Sequence, residues 1–135
     1  MSYAYIESKP SKKVIAKAVS SISGVPLEEI DVRDLGDFED IDTKKLLVVR
    51  SSLGAEPFCY SVRVGNKFRG IRLPSGEFMA SAEFGPKLAE ALGERVLFDD
   101  DLDEGDSDYL PILVADPNGT IHKAEYREGR IVILD

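Results

Sequence analysis

The stretch ERVLFDDDLDEGDSDYLPILVAD, residues 94–116, sets a concentration of negative charge between two apolar runs. Seven carboxylates fall in the ten positions from Asp99 to Asp108, with RVLF before them and LPILVA after. The flanking runs have the length and composition of buried strands, so the stretch reads as strand, acidic loop, strand. A second stretch, EEIDVRDLGDFEDIDTKKLLVVR, residues 28–50, aligns with it without a gap, and 7 of the 23 pairs are identical. Four of those identities are Asp on Asp, so the weight rests on the apolar pairs. Ile30 and Val32 meet Val96 and Phe98, while Leu46, Leu47 and Val48 meet Ile112, Leu113 and Val114.

Working outward, each stretch follows a helix pattern and precedes further strands. SKKVIAKAVSSISG, 11–24, places Ile15, Ala18, Val19 and Ile22 on one stripe and stops at Gly24; Ser8 or Ser11 can cap its start. SAEFGPKLAEALG, 81–93, places Phe84, Leu88, Ala91 and Leu92 on its buried side and stops at Gly93. FCYSVRV alternates, with Phe58, Tyr60, Val62 and Val64 on one face; Gly65-Asn66 predicts a hairpin turn and KFRGIRL the returning strand. In the second half PNG and REG are turns between the strands LPILVA, TIHKAEY and RIVIL. The four apolar residues Ile131 to Leu134 predict a last strand covered on both faces, within the domain or by a partner subunit, and not left as a free edge. The expected fold is one α+β domain over 1–135, with two helices on an antiparallel sheet of about seven to nine strands. The common order of elements suggests a tandem αββββ repeat with halves 1–74 and 75–135.

Composition narrows the function classes. The 135 residues carry a formal net charge of −8. Residues 1–80 are nearly balanced, with 12 basic and 11 acidic side chains, whereas residues 81–135 hold 5 basic and 14 acidic. Such a chain suits a cationic partner and argues against nucleic acid, which requires a basic surface. The single cysteine, Cys59, forms no internal disulfide, the N-terminus lacks a signal-peptide pattern, and no apolar run approaches the roughly 20 residues of a membrane span. These features predict a cytoplasmic protein without a membrane role, for which a homodimer is one arrangement.

Three roles suit the acidic loops: a metal loop, a surface for a basic partner, or a solvated connection. Asp99, Asp101 and Asp103 alternate as EF-hand ligands do, but the glycine falls at the seventh position and Leu110 stands where a bidentate Glu belongs. No GxGxxG, P-loop or HExxH pattern is present, and no cofactor is expected. Cys59 and His122 fall on opposite faces of strands that the repeat equates, with His122 in the inward place of Tyr60, so a Cys/His dyad is disfavoured. Arg63, Lys67, Arg69 and Arg72 form a basic group within the predicted hairpin.

The resulting expectation is a non-enzymatic acidic binding protein, of the kind that neutralises a basic toxin as an immunity protein does. Its partner-binding residues are Asp37, Glu39 and Asp40 in the first loop and Asp99, Asp100, Asp101, Asp103, Glu104, Asp106 and Asp108 in the second. If the second loop is merely solvated, exchanging Asp99, Asp100, Asp101 and Asp103 for Asn should leave stability equal or raised. The alternative is a small-molecule-binding protein, or a carboxylate-dependent enzyme, with a pocket between sheet and helices.

Overall fold

The computed structural model describes residues 2–65, 70–102 and 111–134. Its centre is a strand that the sequence pattern did not single out. β1, Ser2–Ile6, buries Ser2, Ala4 and Ile6 on one face and turns Tyr3 and Tyr5 to the other. It pairs with β4, Tyr60–Val64, on one side and with β5, Val96–Asp99, on the other, so it joins the two halves of the chain in one sheet.

The remaining strands are β2, Ile30–Asp34, β3, Leu46–Ser51, β6, Ile112–Ala115, β7, Ile121–Arg127, and β8, Arg130–Ile133. The order across the eight-stranded sheet is β2-β3-β4-β1-β5-β6-β7-β8. Every pairing is antiparallel except β2 with β3, where Ile30 stands beside Leu46 and Asp34 beside Arg50 in parallel register. A parallel partner requires the chain to return along the strand before re-entering, and residues 35–45, the first acidic segment, make that return. The second acidic segment instead joins the antiparallel pair β5 and β6. The aligned stretches therefore pair differently, and the topology does not carry the expected repeat.

Two helices cover one face. α1, Lys12–Ser23, starts where the Ser11 hydroxyl accepts the Val14 N–H at 3.2 Å, and it buries Ile15, Ala18 and Val19. α2, Ser81–Leu92, buries Phe84, Leu88 and Ala89; Ala91, expected in the core, is exposed. Gly24 and Gly93 end the helices in left-handed conformation, as their positions predicted. Gly85 lets α2 approach β5 closely, because a Cβ there would lie 2.4 Å from the Phe98 ring. The core between helices and sheet is filled by Ile6, Ile15, Leu46, Val48, Phe84, Leu88, Val96 and Phe98 among others, all buried.

Three other expectations give way to physical constraints. The strand predicted for 67–73 is not in the sheet where the chain is described. Both sides of β4 are already taken by β3 and β1, leaving no ladder for a hairpin partner. Ile71 instead plugs the helix-side core, and Arg72 makes an isolated bridge to Phe78. Phe58 does not extend the alternation of β4 but packs on the opposite face of the sheet, as described below. β8 is an edge strand, partly covered: its Ile131 N–H donates to the Glu56 carbonyl at 2.7 Å, while Leu134 is exposed. Glu56 lies between β3 and β4, and β8 is five strands from β4, so the sheet curls strongly toward its helix-free face. Among the described residues no helix is long and apolar enough to cross a membrane.

Candidate functional site

The curl makes a groove on the helix-free face. Strand alternation sends Tyr5, Leu97, Asp99, Ile112, Tyr126 and Ile131 to this side from five different strands. Residues 52–59, between β3 and β4, close over it from above. Phe58 is fully buried against Leu97, Val114 and Ala124 and forms the floor of a second apolar cluster. The segment folds back tightly, with the Phe58 N–H bonded to the Ala55 carbonyl at 2.7 Å. Position 54 must be glycine for this turn, since a Cβ would fall 2.0 Å from the Phe58 carbonyl oxygen. Ser52 to Ala55 and the strand residues enclose a groove of about 530 Å³, a size suited to a side chain or small ligand. This groove lies on the face of the sheet away from the helices, whereas the helix-side face carries the larger buried cluster.

Asp99 is the only carboxylate lining this groove among the described residues. Burial against the apolar wall raises its pKa, and the nearby charge of Asp101 raises it further. The Tyr5 hydroxyl is also held neutral well above the ordinary tyrosine range, chiefly by burial, then by a hydrogen bond with Tyr3 and by the charges of Tyr3 and Asp99. The two rings meet edge to face, with centroids 5.1 Å apart. The groove therefore joins an apolar wall to a partly desolvated negative charge.

The other carboxylates singled out from the sequence are dispersed. Asp100 donates its backbone N–H to the Pro111 carbonyl at 2.8 Å, closing the base of the second acidic segment. Asp101 turns away from the groove and accepts the backbone N–H groups of Ser81 and Ala82 at 2.8 and 2.9 Å. Ala80, at the start of α2, offers no side-chain cap, so Asp101 performs that role from a distance in sequence. It is not a merely solvated charge. Asp103, Glu104, Asp106 and Asp108 lie outside the described residues. In the first segment Arg33 reaches Asp37 at 3.8 Å and donates to the backbone carbonyls of Glu39 and Asp40, which wraps the segment around the guanidinium beside edge strand β2. Four strand spacings, about 19 Å, separate β2 from β5, the strands from which the two acidic segments start.

Among the described residues no group of three or more His, Cys, Asp or Glu is placed to hold a metal ion. His122 stands beside Val114 on the helix-free face, opposite to the face of Tyr60, because the repeat that equated them is not the topology. Its Nε2 lies 2.6 Å from an Asp116 carboxylate oxygen. Cys59 is half-buried just before β4. Of the basic group Arg63, Lys67, Arg69 and Arg72, Lys67 and Arg69 lie outside the described residues; Arg72 stacks on the Phe78 ring at 4.3 Å, whereas Arg63 lies on the helix-free sheet face. The groove residues Tyr5, Tyr126 and Ile131 were missed in sequence. The alternation of Tyr3 and Tyr5 with Ala4 and Ile6 was the available signal for β1. No protein-family model, no curated protein and no solved structure matches this chain.

Proposed function

We propose that this protein is a non-catalytic binding module that receives a basic protein partner at the helix-free groove. The occupant is a Lys or Arg side chain of the partner, with its stem along Leu97, Ile112 and Ile131 and its charge at Asp99. The observation that carries this reading is the placement of Asp99, one partly desolvated carboxylate on the wall of an otherwise apolar groove. Arg and Lys have that same division between apolar stem and charged head. Asp99 also opens the acidic segment of the sequence, whose charge draws cations toward this end of the sheet. Neutralising a basic toxin, as an immunity protein does, is one biological setting for such a site.

The test is titration with the peptide acetyl-Leu-Arg-Leu-amide, followed through the methyl resonances of Leu97, Ile112 and Ile131. Saturable shifts that weaken with salt, and their absence with the Gln analogue acetyl-Leu-Gln-Leu-amide, support the reading. Equal responses to the two peptides would instead identify the groove as a site for neutral apolar ligands.

A further inference from the structure

A second charged group on the same face has no carboxylate partner among the described residues. Arg63 sits on β4 between Val49 of β3 and Tyr3 of β1, all three directed to the helix-free side. Its Nε is buried and has no hydrogen-bond partner, the only buried side-chain nitrogen or oxygen so placed among the described residues. Arg33, Arg50, Arg95 and Arg127 each meet a carboxylate, and Arg72 donates to the Gly76 carbonyl and stacks on Phe78, so the buried Nε is what sets Arg63 apart. Buried polar groups in folded proteins are almost always hydrogen-bonded, and a charged donor is the most costly kind to leave unmatched.

We propose that Arg63 is a carboxylate-binding subsite. Its side chain borders a small cavity of about 60 Å³ with Tyr3, Ser51, Ser61 and Leu53. The planar guanidinium fork matches the two oxygens of a carboxylate. The cavity is small, about 60 Å³, which suits a planar carboxylate better than a bulkier phosphoester. Continuing the register of β1 with β5 sets Asp99 two strands from Arg63, about 10 Å away, with Tyr3 between them. The anion subsite is thus separate from the cation subsite but on the same surface. It does not depend on the basic-partner reading.

The experiment follows the Arg63 Nε–Hε resonance in the full chain while N-acetyl-leucine is added, with N-acetyl-leucinamide as the uncharged control. A saturable shift with the acid and none with the amide is the expected result. Arg63→Lys, followed through the backbone amide resonances of Tyr3 and Ser61, keeps the charge but loses the fork and should weaken binding about tenfold, the loss of one charged hydrogen bond. Asp99→Asn should leave this titration intact. Acetyl-arginyl-leucine with a free carboxylate separates the two sources of the anion. Tighter binding than N-acetyl-leucine, lost in Asp99→Asn, assigns the site to the chain end of a basic partner, whereas equal binding assigns it to a small carboxylate. If acid and amide shift the resonance alike, or neither does, Arg63 is matched by water alone and the proposal is overturned.

Discussion

Replacing Asp101 by Ala should destabilise the fold, although this residue belongs to a crowd of like charges. The carboxylate accepts the first two backbone N–H groups of α2 at 2.8 and 2.9 Å, and no other side chain caps that helix. Loss of a cap costs about 0.5–2 kcal/mol, and hydrogen bonds to a charged group fall at the upper end of that range. Because residue 101 is exposed, solvent replaces part of the interaction, and about 2 kcal/mol is the expected loss for Ala. Asn keeps one acceptor oxygen without the charge and should lose about 1 kcal/mol. A chain of 135 residues unfolds with roughly 0.28 kcal/mol/K of entropy, so Tm should fall by about 7 °C for Asp101→Ala and about 3–4 °C for Asp101→Asn. Asp100→Asn retains its backbone bond to Pro111 and should stay within about 2 °C of the wild type. Calorimetry supplies the Tm values, and hydrogen exchange at Ser81 and Ala82 gives the local readout. Equal Tm values for Asp100→Asn and Asp101→Ala, with unchanged exchange at those amides, would refute the capping role. In the fourfold Asn exchange, loss of the Asp101 contact opposes the gain from relieved like-charge repulsion.

Gly85→Ala should cost about 1–3 kcal/mol by chemical denaturation, because the added methyl meets the Phe98 ring at 2.4 Å; a neutral effect would mean that α2 does not approach β5 so closely. Phe58→Ala should cost about 3–5 kcal/mol and leave a void in the second core, measured as a loss of denaturation midpoint; a small change would show that residues 52–59 do not close that core. Asp34 is held below the usual carboxylate pKa, first by its hydrogen bond from Arg50. Its contribution is therefore complete above about pH 4, the unfolded value, and is lost as pH falls through the lower folded value. The Tm difference between wild type and Asp34→Asn should be constant from neutral pH down to that point and shrink below it, and a difference that persists unchanged in strong acid contradicts the pairing.

Much of the local structure was legible because it depends on local chemistry. The stripe Ile15, Ala18, Val19 with Ser11 before it and Gly24 after it defines α1 without tertiary help, and the β-branched runs at 46–51 and 112–115 mark strands. Partnership was less legible. The return of residues 35–45 to a parallel β2–β3 pair depends on which strand edge is open, and that depends on β1, five residues at the start of the chain that occupy the centre of the sheet. Once β1 lies beside β4, no ladder on β4 remains for the described residues 70–73. The candidate site inherits the same limit: Asp99 was singled out for its charge, but its difference from Asp100 and Asp101 arises from strand alternation and the curl of the sheet. Tyr126 and Ile131 join it only because β8 bends back to Glu56.

Asp99→Asn, measured for stability and binding together, tests the central claim most directly. Burial raises the folded pKa of Asp99, so the folded state takes up a proton more readily than the unfolded chain. Its charge opposes folding at neutral pH, and stability from this group is recovered as pH falls from above the raised folded value to the ordinary unfolded one. A residue kept for binding should show the corresponding trade between stability and function. The account predicts that Asp99→Asn melts at the same temperature as wild type or higher at pH 7, yet loses the saturable response to acetyl-Leu-Arg-Leu-amide. A variant that binds the peptide as wild type does, or that melts lower at pH 7, would contradict it.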